Sequence, residues 1–503
     1  MNLLNPLMRQ YLRARMPRIR HMIEHPQESQ QQEFKQLIKA AAHTKWGRQY
    51  HYPSIRSIQE FQKIVPLQDY NTLQPYFQRM LLGEQNVLWP SPIRWFSKSS
   101  GTTHHSSKLI PVSREAIYDN HVKTGKDLMA IHYHRFPQSK VFAGKSMLIG
   151  GSLQAHVDNT QLHVGDVSAV LIHQLPEWLQ FYREPARNIV LMQDWKKKME
   201  AIVKTVANAN ITTLSGVPTW MLMILQRLLT YTGASSVAEV WPQIELFVHG
   251  GISFVPYRQQ YERIMGRPIC YTDAYNASEG FFAFQSDEQE GMLLHTGNGI
   301  FYEFIPQDEW NKEYPKTVWL QDVELHKNYA LVISTNAGLW RYRIGDLVRF
   351  ISRQPHKIII AGRTAQYINV FGEEVMAHNT DKALHLTCHT LHCAVKEYTV
   401  APVWSASAAG GYHEWLIEFD TAPASMKSFG ALLDKNLQLL NSDYAAKRAS
   451  DLLMQTPIIK TLPNGTFYKW METRKKLGGQ NKVPRLANDR KYVEEILNSL
   501  EQR

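Results

Sequence analysis

The stretch Thr212-Thr213-Leu214-Ser215-Gly216-Val217-Pro218 joins a short apolar run to the periodic apolar segment Thr219–Tyr231. A short run that ends at a glycine, followed by a proline and a periodic segment, predicts a strand, a turn and a helix. The order recurs where Leu246-Phe247-Val248 stops at Gly250-Gly251 and another helix is predicted near Pro256. This alternation of strands and helices is typical of an α/β core.

Different patterns flank this core. Residues 1 to about 85 show helical spacing, and 291–351 contain apolar runs separated by turns, which predicts an antiparallel β region. The pattern breaks over 352–366, where we predict a hinge. A chain of 503 residues is too long for one hydrophobic core. We therefore predict the α/β class with two domains. Residues 1–362 form a large N-terminal domain with mixed β-sheets and an antiparallel region flanked by helices, and 363–503 form a smaller, mobile α+β domain.

The charge and cysteine content limit the function classes. The net charge is +11 and the pI about 9.3, which favours anionic partners. The cations are spread along the chain, however, and the longest runs are only Lys196-Lys197-Lys198 and Arg474-Lys475-Lys476. Three cysteines argue against a disulfide framework and for a reducing cytoplasm. We find no signal-peptide pattern and no apolar run of about 18 residues, so we expect no membrane span.

The first candidate motif is a small-residue segment between two predicted strands. Ile93-Arg94-Trp95-Phe96 leads into Ser99-Ser100-Gly101-Thr102-Thr103, and Lys108-Leu109-Ile110-Pro111 follows. Val87-Leu88-Trp89, just upstream, also reads as a strand. Hydroxyls, exposed N–H groups and a close backbone approach at glycine suit phosphate oxygens, and a lysine neutralises their charge. The Walker pattern is absent, and a segment of this composition is often only a loop.

Two further motifs carry the groups that a nucleotide needs. In Tyr275-Asn276-Ala277-Ser278-Glu279, an aromatic ring suits adenine, a hydroxyl suits phosphate, and a carboxylate suits Mg²⁺. In Tyr342-Arg343-Ile344-Gly345-Asp346, Gly345 predicts a bulge that re-aims Asp346 toward ribose hydroxyls. Each of these patterns alone is also compatible with ordinary turn chemistry.

The order of the three motifs resembles the adenylate-forming enzyme superfamily. More closely, the chain is similar to the Gretchen Hagen family of auxin-responsive acyl acid amido synthetases, particularly its bacterial branch. Leu477-Gly478-Gly479-Gln480-Asn481-Lys482-Val483-Pro484-Arg485 fits the same family, so the resemblance covers nearly the whole chain. This sequence differs from a glycine-richer phosphate loop because it carries His104-His105. The difference bears on how the γ-phosphate would be positioned.

The resemblance implies a role for each matching residue and implies ATP and Mg²⁺ as cofactors. The implied phosphate-binding residues are Ser99, Ser100, Gly101, Thr102, Thr103, Lys108 and Ser278. Gly250, Gly251 and Tyr275 would line the adenine slot, Asp346 would hold the ribose, and Arg363 would reach the nucleotide. Glu279 would ligate the metal, and Lys482 would stabilise the adenylation transition state, with Lys475 and Lys476 nearby as alternatives.

The implied activity is activation of a small carboxylic acid as an acyl adenylate, followed by transfer to an amino acid. Two alternatives stay open at this stage: an acyl-CoA ligase, and a basic non-enzymatic nucleic-acid-binding protein, which the three motifs disfavour. Cys388-His389-Thr390-Leu391-His392-Cys393 packs its ligand-type residues too tightly for the usual zinc spacing, so we expect no metal there. The sequence does not identify the acid, the amine or the oligomeric state.

Overall fold

A computed structural model describes most of the chain. The described residues are 4–99, 108–151, 153–155, 162–175, 180–192, 194–310, 312–364, 367–368, 370–371, 373, 375–404, 411–448, 454–478 and 481–501. They divide into two compact units. The first comprises Met1–Gly251 and Gly266–Ile359, and the second comprises Ile252–Met265 and Ile360–Arg503. No sequence feature predicted that 252–265 would group with the C-terminal residues.

The N-terminal part of the first unit is helical, as predicted. Its helices are α1 (Leu4–Arg13), α2 (Met16–Glu24), α3 (Pro26–Ala41), α4 (Lys45–Gln49), α5 (Ile58–Ile64) and α6 (Tyr70–Leu81). α3 buries Phe34, Leu37, Ile38 and Ala41 on one face. Asp69 and Thr72 form a capping box at the start of α6, which satisfies backbone donors that the helix leaves open. Secondary structure and packing here follow from apolar periodicity and local capping.

The strand predicted at Val87-Leu88-Trp89 is wrong. These residues are irregular although all three are buried. The carbonyl of Val87 accepts a hydrogen bond from the backbone N–H of Trp46 at 3.0 Å, so α4 satisfies it instead of a neighbouring strand. A short apolar run that packs into a core through its side chains resembles a strand in sequence.

Two sheets follow. The strands of this region are β1 (Trp95–Ser99), β2 (Lys108–Val112), β3 (Lys145–Leu148), β4 (Leu153–Ala155), β5 (His163–Gly165), β6 (Arg183–Glu184), β7 (Ile211–Gly216), β8 (Leu246–Gly250), β9 (Cys270–Ala277), β10 (Gly280–Phe284), β11 (Met292–Leu294), β12 (Ile300–Pro306), β13 (Val318–Trp319), β14 (Asn328–Thr335), β15 (Tyr342–Arg353) and β16 (His356–Arg363). The smaller sheet has the order β2-β1-β5-β4. The larger has the order β13-β12-β14-β15-β16-β11-β10-β9-β8-β7-β3-β6.

The larger sheet combines the two predicted patterns. Strands β6, β3, β7, β8 and β9 pair in parallel, whereas the pairs described from β9 through β10, β11 and β16, and among β12 to β15, are antiparallel. The parallel strands alternate with helices, and β7 buries its first four residues consecutively, as expected for a strand covered on both faces. The mixed α/β fold class is thus confirmed.

Further helices of the first unit lie between residues 123 and 240 in the chain. They are α7 (Lys123–Arg135), α8 (Val167–Gln174), α9 (Arg187–Val190), α10 (Trp195–Val206), α11 (Pro218–Thr232) and α12 (Val237–Val240). A π-helix (Ala116–Val122) runs directly into α7. The helix predicted over Thr219–Tyr231 is therefore confirmed to within one residue at each end. Among the residues that the structure describes, no helix has the length and apolar character needed to cross a bilayer.

The second unit is a small α+β assembly. Its elements are α13 (Arg258–Met265), β17 (Tyr367–Ile368), β18 (Val375–Met376), α14 (Ala377–Leu391), β19 (Ala394–Trp404), β20 (Gly411–Thr421), α15 (Met426–Leu440), α16 (Ser442–Arg448), β21 (Ile458–Leu462), α17 (Thr466–Thr473) and α18 (Lys491–Glu501). β19 and β20 pair antiparallel, and β20 and β21 pair in parallel. Side chains of α14, α15 and these strands share one core, which includes Leu384, Trp415 and Leu433.

Candidate active site

The carboxyl ends of the parallel strands provide the framework of the site. β8 ends at Gly250, opposite Ala274 of β9. A Cβ atom on Gly250 would lie 2.1 Å from the carbonyl oxygen of Ala274, so only glycine fits where the two strands approach so closely. Gly251 follows with a φ of 87°, a conformation that also favours glycine. The glycine pair therefore lets β8 end directly beside the second motif. Ligands of open α/β sheets commonly bind at this edge.

The second motif is the turn of a tight hairpin. Gly280 of β10 pairs with Ala277 of β9, which leaves Ser278 and Glu279 as the two turn residues. Both side chains are buried. A turn of two residues fixes their directions through the register of the flanking strands.

A side chain that the sequence analysis missed supports this hairpin. Asn120, in the π-helix, is buried and accepts a hydrogen bond from the backbone N–H of Phe281 at 2.8 Å. Its amide nitrogen donates to the carbonyl of Asn298 at 3.0 Å. Neighbouring His121 is also buried, and burial lowers its pKa to about 4, so its imidazole is neutral near pH 7. π-Helical turns often occur at functional sites, but their irregular hydrogen bonding has no simple sequence signal.

The described flanks of the first motif form the predicted hairpin. β1 and β2 pair antiparallel, with Ser99 opposite Lys108. Ser100, Gly101, Thr102 and Thr103, together with His104 and His105, lie outside the described residues. For Ser99 only the backbone is described. The binding of phosphates by these residues stays a prediction.

A hydrogen bond connects the first motif to the second. The hydroxyl of Ser97, in β1, donates to the hydroxyl of Ser278 at 3.0 Å. Ser278 in turn donates to the carbonyl of Lys98 at 3.4 Å. The strand that leads into the first motif is therefore held against the turn that carries Ser278 and Glu279.

Lys108, at the start of β2, is positioned by Tyr70 of α6. Its ammonium lies 5.5 Å from the centre of the Tyr70 ring, a cation–π arrangement. The Tyr70 hydroxyl also accepts a hydrogen bond from the backbone N–H of Leu109 at 3.0 Å. Tyr70 thus fixes both the side chain and the backbone where β2 begins.

The third motif contains the predicted bulge. Gly345 has a φ of 91°, and the pairing of β14 with β15 shifts register between Ala330 and Val332, opposite this part of β15. Extra residues in one strand turn the following side chain away from its regular direction. Asp346 is only partly exposed, and its Oδ2 atom accepts a hydrogen bond from the Tyr275 hydroxyl at 2.5 Å. The second and third motifs are therefore in direct contact.

The contact changes the interpretation of Tyr275. Its ring is buried and packs edge-on against Phe282, with ring centres 4.9 Å apart. The structure thus gives Tyr275 a role that the sequence did not predict, which is to orient the carboxylate of Asp346. Its predicted contact with adenine stays a prediction.

Arg341, just before the third motif, is a second residue that sequence reasoning missed. It is buried, with a φ of 44°, and its guanidinium makes paired hydrogen bonds of 3.0 and 2.9 Å to Glu303. It also donates to the carbonyls of Gln62 and Val65, at 2.8 and 2.6 Å. One side chain therefore connects the N-terminal helical region to the start of the strand that carries Asp346.

Arg363 and Lys482 belong to the second unit. Arg363 is the last residue of β16, and Lys482 precedes a short extended segment beside β19. Of the two alternative lysines, Lys475 has a φ of 55°, and burial lowers the pKa of Lys476. The role of Lys482 stays a prediction.

Glu279 is the residue that the family resemblance implies as a metal ligand. No group of three or more His, Cys, Asp or Glu side chains that could hold a metal occurs within the described ranges. Glu279 nevertheless fits Mg²⁺, because this ion often takes one or two protein carboxylates and completes its shell with phosphate oxygens and water. Cys388 and Cys393 are free and buried.

Comparison with known proteins identifies the family. The sequence matches the GH3 family N-terminal domain over residues 15–269, the central domain over 293–363 and the C-terminal domain over 378–491. The chain belongs to the GH3 family.

Two curated relatives of the GH3 chain match it over most of their lengths. It is 22% identical to the jasmonoyl–L-amino acid synthetase GH3.5 of Oryza sativa subsp. japonica, over 91% of this chain and 92% of that protein. It is 23% identical to the probable indole-3-acetic acid-amido synthetase GH3.1 of Arabidopsis thaliana, over 91% and 89% of the two chains.

Solved structures share the GH3 fold at low identity. The AtGH3.15 acyl acid amido synthetase in complex with 2,4-DB has a TM-score of 0.79 and 17% identity, over 97% of this chain and 96% of that chain. A 2-hydroxyisobutyryl-CoA ligase in the postadenylation state has a TM-score of 0.59 and 11% identity, over 94% and 91%. The fold is thus shared with the GH3.15 synthetase and, less closely, with an adenylate-forming CoA ligase.

Proposed function

We propose that this GH3 chain is an ATP-dependent acyl acid amido synthetase. In the first half-reaction, a carboxylate oxygen of a small acid attacks the α-phosphorus of ATP, and pyrophosphate leaves. In the second, the amine of an amino acid attacks the acyl carbon, loses a proton, and AMP leaves. The observation that carries this proposal is the direct contact of the motifs: Ser97 with Ser278, and Tyr275 with Asp346.

The contacts support a division of nucleotide binding among the motifs. We assign the phosphates to the loop from Ser99 to Thr103, together with Lys108 and Ser278. Asp346, with its two carboxylate oxygens, would accept both ribose hydroxyls while Tyr275 holds its orientation. Gly250 and Gly251, where β8 ends beside the hairpin, would line the adenine slot. Hydrogen-bond donors and cations that are already in place stabilise the charge that develops on the phosphates.

Glu279 is the proposed protein ligand of Mg²⁺. When bound, the metal would neutralise phosphate charge and orient the phosphate oxygens. The tight turn between β9 and β10 fixes the Glu279 backbone before the metal binds. This arrangement would reduce the entropic cost of assembling the site.

The proposal also gives a role to the second unit. We propose that residues 363–503 form a mobile domain that brings Lys482 and Arg363 to the nucleotide, and that closure shields the acyl adenylate from water until the amine binds. Free, buried Cys388 and Cys393 and partly exposed free Cys270 support a reducing compartment, and we propose the cytoplasm.

A screen of acids against amines tests the reaction class. The purified protein would be incubated with ATP, Mg²⁺, a panel of carboxylic acids and either a mixture of amino acids or coenzyme A, and the products identified by mass spectrometry. An acyl–amino acid amide, formed together with AMP, is the expected product. A thioester without amide would replace the amido synthetase proposal by an acyl-CoA ligase. Absence of both products across the panel would contradict the proposed activity.

A further inference from the structure

Arg485 lies three residues after Lys482 and makes contacts with two other chain segments. It is buried, and its Nη2 atom donates to the Tyr257 hydroxyl at 2.7 Å. Its Nη1 atom donates to the carbonyl of Tyr398 at 3.1 Å and pairs with Glu397. The guanidinium also lies over the Tyr398 ring, 4.5 Å from its centre. The guanidinium is therefore held by a hydroxyl, a carbonyl, a carboxylate and an aromatic ring.

The backbone around Arg485 is fixed as well. Val400 of β19 donates its N–H to the carbonyl of Arg485 at 2.9 Å, and Ala487 donates to the carbonyl of Val400 at 3.2 Å. The Thr399 hydroxyl donates to the carbonyl of Pro484 at 2.7 Å. Residues 484–487 therefore lie against β19 through a single parallel β-bridge between Val400 and Leu486, and this contact begins two residues after Lys482.

Tyr257 belongs to another segment of the second unit that is bonded to Arg485. It lies in the short 3₁₀ helix Val255–Tyr257, six residues after Gly251, and is almost fully buried. Gln260 of α13 donates to the carbonyl of Val395 at 2.9 Å, so this segment is attached to β19 at a second point. The segment that follows Gly251 is thus hydrogen-bonded, within the second unit, to the side chain of Arg485. Arg485 belongs to the segment from Lys482 to Ala487, which is called the lysine segment below.

We propose that Arg485 and Tyr257 are positioning residues for Lys482. The lysine ammonium is a point charge on a flexible four-carbon stem, so its location depends on how firmly its backbone is held. The Arg485–Tyr257 bond fixes that backbone relative to the segment that follows Gly250 and Gly251. The inference rests on the proposed function and on the role proposed for Lys482.

A matched cluster in the same unit separates positioning from stability. Asp434 accepts a hydrogen bond from the Tyr444 hydroxyl at 2.7 Å and from Arg448 at 2.9 and 2.8 Å. Tyr444 and Arg448 are buried or nearly so, like Tyr257 and Arg485, but belong to α16 rather than to the lysine segment. Tyr444→Phe and Arg448→Lys are therefore the controls for Tyr257→Phe and Arg485→Lys.

The test measures ATP–pyrophosphate exchange for the full-length chain and these four variants, with thermal unfolding in parallel. Displacement of a reacting group by about 1 Å can cost about 10²-fold in rate. We expect Tyr257→Phe to lower kcat by about 5-fold and Arg485→Lys by about 50-fold, with the KM for ATP within about 2-fold of the wild type. The two controls should lose thermal stability to a similar extent but keep kcat within about 2-fold. Equal kcat values for Tyr257→Phe and Tyr444→Phe would overturn the proposal.

A double-variant experiment identifies the residue through which Arg485 acts. In a Lys482→Ala background, Arg485→Lys should have little further effect on exchange, because the group that it positions is already absent. If the losses in exchange rate from Arg485→Lys and Lys482→Ala multiply in the double variant, or if Lys482→Ala exchanges like the wild type, the inference is wrong. Exchange by the wild-type protein would still support the proposed function. Absence of exchange in the wild-type protein would instead contradict the function itself and, with it, the inference.

Discussion

The hydroxyl of Tyr275 donates a 2.5 Å hydrogen bond to the Oδ2 atom of Asp346, although 71 residues separate the two in the chain. The bond connects the end of β9 to the bulge of β15. It places the aromatic residue of one nucleotide motif on the carboxylate of another. The second and third motifs are therefore coupled through this bond. A substitution of either residue should change the position of the other side chain.

We predict that Tyr275→Phe raises the KM for ATP by about 3- to 10-fold, because Asp346 loses the donor that orients it, a bond worth about 0.5–1.5 kcal/mol. Steady-state ATP–pyrophosphate exchange measures this change. Tyr329→Phe is the control: its hydroxyl, in the same unit, accepts a hydrogen bond from the backbone N–H of Glu324. An equal KM for both variants would remove Tyr275 from the nucleotide site.

We expect Glu279→Gln to raise the Mg²⁺ concentration needed for half-maximal exchange by about 10-fold or more and to lower kcat, since the amide removes a charged ligand but keeps the side-chain shape. Titration of exchange with Mg²⁺ at saturating ATP measures the effect. Glu313→Gln, at an exposed position, is the control. An unchanged Mg²⁺ dependence would exclude Glu279 as a metal ligand.

Arg341→Met is predicted to lower the free energy of unfolding by about 3–5 kcal/mol, because it leaves the carboxylate of Glu303 buried without its partner. Urea unfolding followed by tryptophan fluorescence measures the loss. The double change of Arg341 to Met and Glu303 to Leu removes both charges and should recover part of the stability. If the single variant were as stable as the wild type, the pair would not anchor β15.

The free energy of unfolding should depend on pH through the buried carboxyl of Asp127, in α7. Burial alone would raise the pKa of this carboxyl, but its bond to His295 and the charges of His295, Arg18 and Arg15 lower it well below the ordinary 3.8. A lowered pKa in the folded state stabilises the protein above the unfolded-state value of about 4, and this contribution is lost as the pH falls below it.

Asp127→Asn should therefore cost about 3 kcal/mol at pH 7, and the difference from the wild type should shrink as the pH falls from about 4 toward 2. Urea unfolding across this range measures the difference. The exposed Asp308→Asn variant is the control and should show no such trend. A difference that stayed constant with pH would contradict the role of the charge cluster.

Local patterns predicted the elements but not their tertiary partners. The alternation around Thr212 predicted β7, α11 and β8, and Gly345 predicted the bulge, because backbone conformation there depends on nearby residues. Tyr275 was predicted at the site, but its bond to Asp346 depends on the pairing of distant strands. Arg341 and Asn120 were missed for the same reason: their partners lie elsewhere in the chain, and no local spacing indicates them.

The most direct test of acyl-adenylate formation is exchange of radiolabelled pyrophosphate into ATP by the wild-type protein, with Mg²⁺ and a panel of carboxylic acids but without any amine. Exchange should depend on the acid, because formation of the acyl adenylate is reversible. Exchange should be lost when Mg²⁺ is removed. If the folded protein shows no acid-dependent exchange across the panel and also fails to bind ATP, it does not form acyl adenylates and the proposed function is wrong.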